Sequence, residues 1–283
     1  MSELASSVER LVPRRWLLTA LSLLCLAAFL FPIYWMILTS VRPRTETFAY
    51  PPHLVPGRLD FAGWSGRVLS DGTIMRYFLN SAIVASGTTL LTLALAAPAA
   101  HALAHLRLRG NSLLLMLSLM SLMFPAVMLA TPLFVIFSRL HLTDSYLGLV
   151  LANTTQALPF AIVVLRPFFR SIPAELSDAA LVDGCTRWGA FVRIVLPLGR
   201  PGLLTTAVFT FLFAWSDLVF ALSLTTSDSL RPVTAGLWNF MGSNVTAWNS
   251  VMAFSTLAML PPLVVFLIAQ RYVIAGLTTR WPA

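Results

Sequence analysis

The sequence predicts an all-α integral membrane protein, with six transmembrane helices and one long polar loop between the fourth and fifth. Two observations carry this expectation. Of 283 residues, 58% are hydrophobic and only 11% charged, whereas soluble domains carry about a quarter charged residues. The charges are also spaced so that six long intervals are left almost free of them. A helix rising about 1.5 Å per residue needs about 20 residues to cross a bilayer core of about 30 Å.

Residues 16–41 carry no charge, and 17–38 reads as the first span. Its 22 residues exceed a signal-peptide core and no A-x-A-like site follows, so an uncleaved helix is expected after a cytoplasmic segment 1–16. The charge-free intervals 77–106, 110–138 and 145–165 hold spans at 79–102, 113–137 and 147–165. A fifth at 203–224 lies in an interval interrupted only by Asp217, and a sixth at 251–269 precedes a tail, 271–283. The membrane-spanning core is thus 17–270.

Arginine placement orients the chain. With six spans both termini share a side, and that side holds twelve arginines, including Arg10, Arg14, Arg15, Arg107 and Arg109, against seven on the other. The positive-inside bias therefore places both termini in the cytoplasm. All 19 basic residues are arginine. Without lysine the chain cannot be a P-loop NTPase or a lysine Schiff-base enzyme. Its apolar composition excludes a disordered or nucleic-acid-binding chain despite a net charge of +8. Cys25 and Cys185 lack partners at metal-ligand spacing. His101 and His105, four residues apart, have no evident third ligand, so two histidines flanking a helix end is the preferred reading over a metal site. Asn244-Val245-Thr246 matches a glycosylation sequon by accident of its shortness.

Ionisable groups inside a membrane usually mark ion pathways or relays, and only Asp217 qualifies. The spans instead carry prolines and neutral polar groups: Pro98, Pro125, Pro132, Asn153, Thr154, Thr155, Gln156, Pro159, Ser216, Pro261 and Pro262. Such groups suit a polar, uncharged solute, or equally serve as hydrogen-bonding glue between helices. Asn153, Gln156, Trp215, Asp217 and Asn80 are the candidate pathway residues; for Asn80 and Asp217 a role in pinning helix packing is equally supported.

The most informative stretch is 167–200. Pro173 fits a first helical turn, and Glu175 and Asp178 suit the positive end of a helix. Gly184 stops that helix, and Thr186 caps a second one ending before Pro197. The second presents Trp188, Phe191, Ile194 and Val195 at helical spacing; a hairpin lying on lipid headgroups is the alternative.

Glu175-Leu176-Ser177-Asp178-Ala179-Ala180, then Asp183-Gly184-Cys185, then Ile194-Val195-Leu196-Pro197 resemble the EAA loop of permease subunits in binding-protein-dependent ABC importers, roughly E-L-x-E-A-A-x-x-D-G-A followed by I-x-L-P. Asp178 stands where Glu is usual and Cys185 where Ala is. Tyr77-Phe78-Leu79-Asn80-Ser81, Phe124-Pro125, Leu142-Thr143-Asp144-Ser145-Tyr146 and Trp215-Ser216-Asp217-Leu218 are similar to permeases of carbohydrate importers of the maltose type, with Ser216 where Asn is common. The end, Thr279-Arg280-Trp281-Pro282-Ala283, departs from that pattern.

The resemblance implies a non-catalytic transport subunit of a bacterial or archaeal cytoplasmic membrane, with no cofactor of its own. Its implied partners are a second homologous permease subunit, two ATPase subunits that bind ATP and Mg, and an extracytoplasmic sugar-binding protein. It further implies that Glu175, Asp178, Ala179, Ala180, Asp183 and Gly184 form the helix that couples to the ATPase. A permease for a non-sugar solute is the alternative, and an ion-coupled carrier a weaker one, since the relay groups such a carrier needs are missing.

Overall fold

The computed structural model describes residues 2–70, 72–106, 109–243 and 247–278. Arg107, the sequon 244–246 and the tail end 279–283 lie outside the described residues. Within them all regular structure is helical. Four helices contain straight stretches long and apolar enough to cross a membrane: α1 (Ser2–Ser40), α2 (Gly72–His105), α5 (Tyr146–Arg170) and α11 (Trp248–Thr278). Two bent pairs bring the number of spans to as many as six: α3 (Asn111–Ser121) with α4 (Ala126–Arg139), and α7 (Arg187–Leu198) with α8 (Arg200–Trp215). Between them lie α6 (Ala174–Val182), α9 (Val219–Leu224) and α10 (Val233–Ser243).

The third and fifth expected spans, 113–137 and 203–224, are therefore not continuous helices. The α3–α4 pair bends by 97°. Phe124 precedes a proline and so disfavours helical backbone, while Pro125 has no N–H to give and stands extended at ψ 143° as the cap of α4. The fifth span stops at Trp215. The Asp217 carboxylate accepts hydrogen bonds from the backbone N–H groups of Phe220 (3.2 Å) and Ala221 (3.1 Å), starting α9 as a new helix. Pro98, Pro132, Pro159, Pro261 and Pro262 all sit inside helices without ending them.

The chain divides into two compact units. In the first, Met1–Ser70 with Met241–Leu257, the loop after α1 is folded around Arg42. That guanidinium is buried, lies 4.8 Å over the Trp35 ring and donates to the His53 carbonyl. Trp64 Nε1 donates to Ser40 Oγ at 3.2 Å.

The second unit, Asp71–Phe240 with Ala258–Ala283, is built on α2 packed along α5. Its core has two parts. Ala96, Ala97 and Ala100 of α2 meet Ala161, Leu165 and Phe169 of α5, together with Phe191 and Val195. The small side chains allow close backbone approach, which drives helix association where lipid provides no hydrophobic force. The other part joins Val84, Leu149 and Ala152 to Phe137, Phe220 and Leu224.

Polar ties mark the two ends of this unit. At one, His105 Nε2 lies 2.8 Å from the Phe169 carbonyl, and the Leu103 carbonyl accepts from Arg166 Nε and Asn111 Nδ2. At the other, Asn80, Asp144 and Tyr146 hold the segment after α9. The ends of α2 and α5 thus pair as an alternating up-and-down topology requires.

Candidate functional site

The loop 167–200 folds as two short helices. Pro173 is the residue before α6 rather than within its first turn, and Glu175 occupies that turn. Gly184 ends α6 with φ +84°. Its N–H bonds to the Leu181 carbonyl (3.1 Å), and the Cys185 N–H to the Ala180 carbonyl (2.9 Å), the paired bonds of a Schellman closure. A Cβ at Gly184 would meet nothing within 4 Å, so the demand for glycine comes from backbone torsion alone. Thr186 follows as cap, its Oγ1 accepting from Gly189 N–H at 3.0 Å.

The second helix does not end before Pro197. It passes through a wide π turn, Phe191–Val195, and continues to Leu198. Nor does its apolar face lie outward as a whole. Phe191 and Val195 are buried among the α2 and α5 residues, with the His101 ring 5.0 Å and the Trp188 ring 5.2 Å from Phe191, while Trp188 itself is exposed. Gly199 follows α7; a Cβ there would come within 2.5 Å of the Phe169 ring. The loop is therefore rooted in the packed end of the unit.

Its other side is open. Glu175, Asp178, Ala179, Asp183 and Gly184 are exposed, and Ala180 is buried. None of the three carboxylates forms an ion pair with a described residue. Leu176, Leu181 and Val182 are exposed beside them, Val182 at 87%. A cavity of about 580 Å³ underlies the loop, bounded by His101, His105, Asp178, Arg187 and Trp188. Among the described residues no group of three or more His, Cys, Asp or Glu is placed to hold a metal.

The pathway candidates separate. Asn80 is buried and donates to the Ser229 (3.0 Å) and Arg231 (2.9 Å) carbonyls while accepting from Tyr146 OH (2.7 Å). Trp215 is also buried, its Nε1 bonded to the Ala258 carbonyl at 3.2 Å and its ring stacked on Phe211. Asn153 donates to its own helix at the Leu149 carbonyl (3.0 Å) and reaches the Asp217 carboxylate. Asp217 caps α9, and its backbone carbonyl accepts from Thr234 Oγ1. Asn80, Trp215 and Asp217 tie separate segments together in this structure, while the buried Asn153 Oδ1 has no hydrogen-bond partner among the described residues.

Gln156 lines a cavity of about 400 Å³ also bounded by Ser121, Phe124, Phe160, Phe209 and Ser216. Sequence reasoning gave no pathway role to Phe160 or Phe209, which are indistinguishable in sequence from lipid-facing phenylalanines. It also gave no role to the Asp144 carboxylate, which accepts from Thr226 N–H (2.7 Å), Ser227 N–H (3.0 Å) and both hydroxyls. An acidic residue just before the Ser145 helix cap was the available signal.

Residues 93–279 match the family described as the inner membrane component of binding-protein-dependent transport systems. The chain belongs to this family: it is a multi-pass membrane permease subunit of an ABC importer. It is 37% identical over 252 residues to the trehalose transport system permease protein SugB of Mycobacterium tuberculosis, covering 88% of this chain and 91% of that one. It is 34% identical over 270 residues to the trehalose/maltose transport system permease protein MalG of Thermococcus litoralis, covering 94% and 96%. A crystal structure of a bacterial ABC transporter involved in import of the acidic polysaccharide alginate has a chain of the same fold, with a TM-score of 0.76 at 23% identity over 90% of this chain and 94% of that one.

Proposed function

We propose that this chain is one of two transmembrane subunits of an ATP-driven carbohydrate importer, with both termini in the cytoplasm. A second permease subunit completes the pathway, a pair of ATPase subunits holds ATP and Mg, and an extracytoplasmic binding protein delivers the sugar. The loop geometry carries the coupling part of this reading: a torsionally closed two-helix hairpin, rooted by Phe191 and Val195, whose opposite side presents unpaired carboxylates and apolar side chains. That side suits an ATPase surface bearing arginines, where charge-assisted hydrogen bonds are strong. The sugar class rests on the names of relatives that align with about nine-tenths of the chain.

In this reading, closure of the ATPase pair on ATP displaces α6, and the Schellman closure passes the displacement to α7 without bending. The spans then rock between inward- and outward-facing arrangements as packed bodies. The test is to purify the tagged chain gently from its native membrane and assay ATP hydrolysis with candidate sugars and binding protein. Co-purification of a second permease and an ATPase, with hydrolysis stimulated by a sugar, is expected. A chain that purifies alone and moves solute in liposomes without ATP would overturn the proposal.

A further inference from the structure

The cavity of about 400 Å³ is lined by apolar and neutral polar side chains from the regions of α3, α5 and α8. It is bounded by Ser121 and Phe124 at the 97° bend between α3 and α4, and by Ser216 where α8 ends. Non-helical backbone within a membrane is tolerated where it is buried in protein or faces a cavity. The polar groups on the wall are neutral. Gln156 spends its amide on one long bond, 3.4 Å to the Phe124 carbonyl, and the exposed Ser216 donates its hydroxyl hydrogen to the Leu212 and Phe213 carbonyls (2.8 and 3.2 Å), which leaves its oxygen as an acceptor. Phe160 and Phe209 stand edge to face, 6.1 Å apart at 72°, and supply apolar surface. No Asp, Glu, Arg or His is among the lining residues.

We propose that this cavity is a solute site on this chain, that it takes an uncharged sugar ring, and that it disfavours acidic saccharides. The inference rests on the carbohydrate-importer reading and adds both a substrate class and a contact by this subunit. A sugar ring offers hydroxyls for an amide and a serine, and C–H faces for aromatic carbon. The volume falls in the range of small-molecule pockets, about 300–1,000 Å³. A carboxylate entering the same space gives up its water and finds no cation on this wall, which costs far more than placing a neutral hydroxyl beside Gln156.

The test uses the assembled importer in membranes, with Cys25→Ala and Cys185→Ala, and follows the reaction of Ser216→Cys with a small methanethiosulfonate. Trehalose, maltose and N,N′-diacetylchitobiose are the neutral probes and digalacturonate the acidic one. At least one neutral probe is expected to slow the reaction several-fold, and digalacturonate to leave it unchanged. Gln156→Leu and, separately, Phe209→Ala are each expected to raise the half-protecting concentration roughly tenfold, the loss of about one hydrogen bond or an equivalent contact. Equal protection by digalacturonate would overturn the charge selection. No protection by any probe, in a complex whose ATPase is still stimulated by sugar through the binding protein, would overturn the site and leave the importer reading standing. An ATPase that no sugar stimulates would remove both.

Discussion

Asp144 shows what one carboxylate does at the end of a helical unit. It sits at φ +49°, a conformation Asp tolerates better than most residues, and gathers four hydrogen bonds from Thr226 and Ser227. Desolvation pushes its pKa up, but the hydrogen bonds to its charged form outweigh this and leave it below the ordinary value. A carboxylate with a lowered folded-state pKa stabilises above its unfolded pKa and loses that contribution as pH falls through the folded value. Asp144→Asn should therefore lower the melting temperature at pH 7, and the gap from wild type should narrow below about pH 4. A gap as wide at pH 3 as at pH 7 would mean that the charge is not what matters. Asn80 makes the complementary case, because its amide ties together residues 149 and 151 positions away. Asn80→Ala leaves two carbonyls and the Tyr146 hydroxyl without this partner and should cost about 1–3 kcal/mol of stability, read by thermal unfolding in detergent. Both residues were visible in sequence as polar; their partners were not, because nothing local points across that many positions.

At the scale of elements, the charge-free intervals overlap the four long helices and the α3–α4 pair, but the fifth, 203–224, takes in α8 and α9 without α7, and neither bend was foreseen. A charge-free interval reports that a segment is apolar, and both halves of a bent pair are apolar. Prolines were equally visible at 98, 132, 159, 261 and 262, yet those sit within helices. What distinguishes Pro125 is that the chain before it has already turned, with Met123 and Phe124 N–H groups bonded three residues back to Met120 and Ser121. The loop was the opposite case, because its signals are local: Gly184 as helix stop and Thr186 as cap fell where expected. What sequence could not give was that Phe191 turns inward, since helical spacing defines a stripe and not what covers it. The closure at Gly184 carries a graded prediction. A left-handed torsion costs an L residue about 1–2 kcal/mol, and more for a β-branched one. Gly184→Ala should reduce sugar-stimulated ATP hydrolysis modestly and Gly184→Val severely, with both variants still inserting in the membrane. Equal activity in all three forms would show that the hairpin need not be rigid.

For the whole molecule, the arrangement of ends turns a statistical bias into a geometric constraint. His105, Leu103, Arg166 and Phe169 share one end of the second unit with the base of the 167–200 loop, while Asn80, Asp144 and Tyr146 share the other. Whichever face of the membrane holds one group holds all of it, so a single reporter orients the unit. The orientation proposed from the arginine counts has the loop end in the cytoplasm, and Cys185 in that loop is a native reporter of intermediate exposure. Cys25 lies in the apolar stretch of α1, where a charged reagent has no water to reach it from. In sealed right-side-out vesicles, a membrane-impermeant maleimide should leave Cys185 unmodified, and permeabilisation should expose it; Cys185→Ala identifies the labelled site. Modification before permeabilisation would invert the topology. The loop would then face away from the compartment that holds ATP, and the coupling role assigned to Glu175, Asp178 and Asp183 would fall with it.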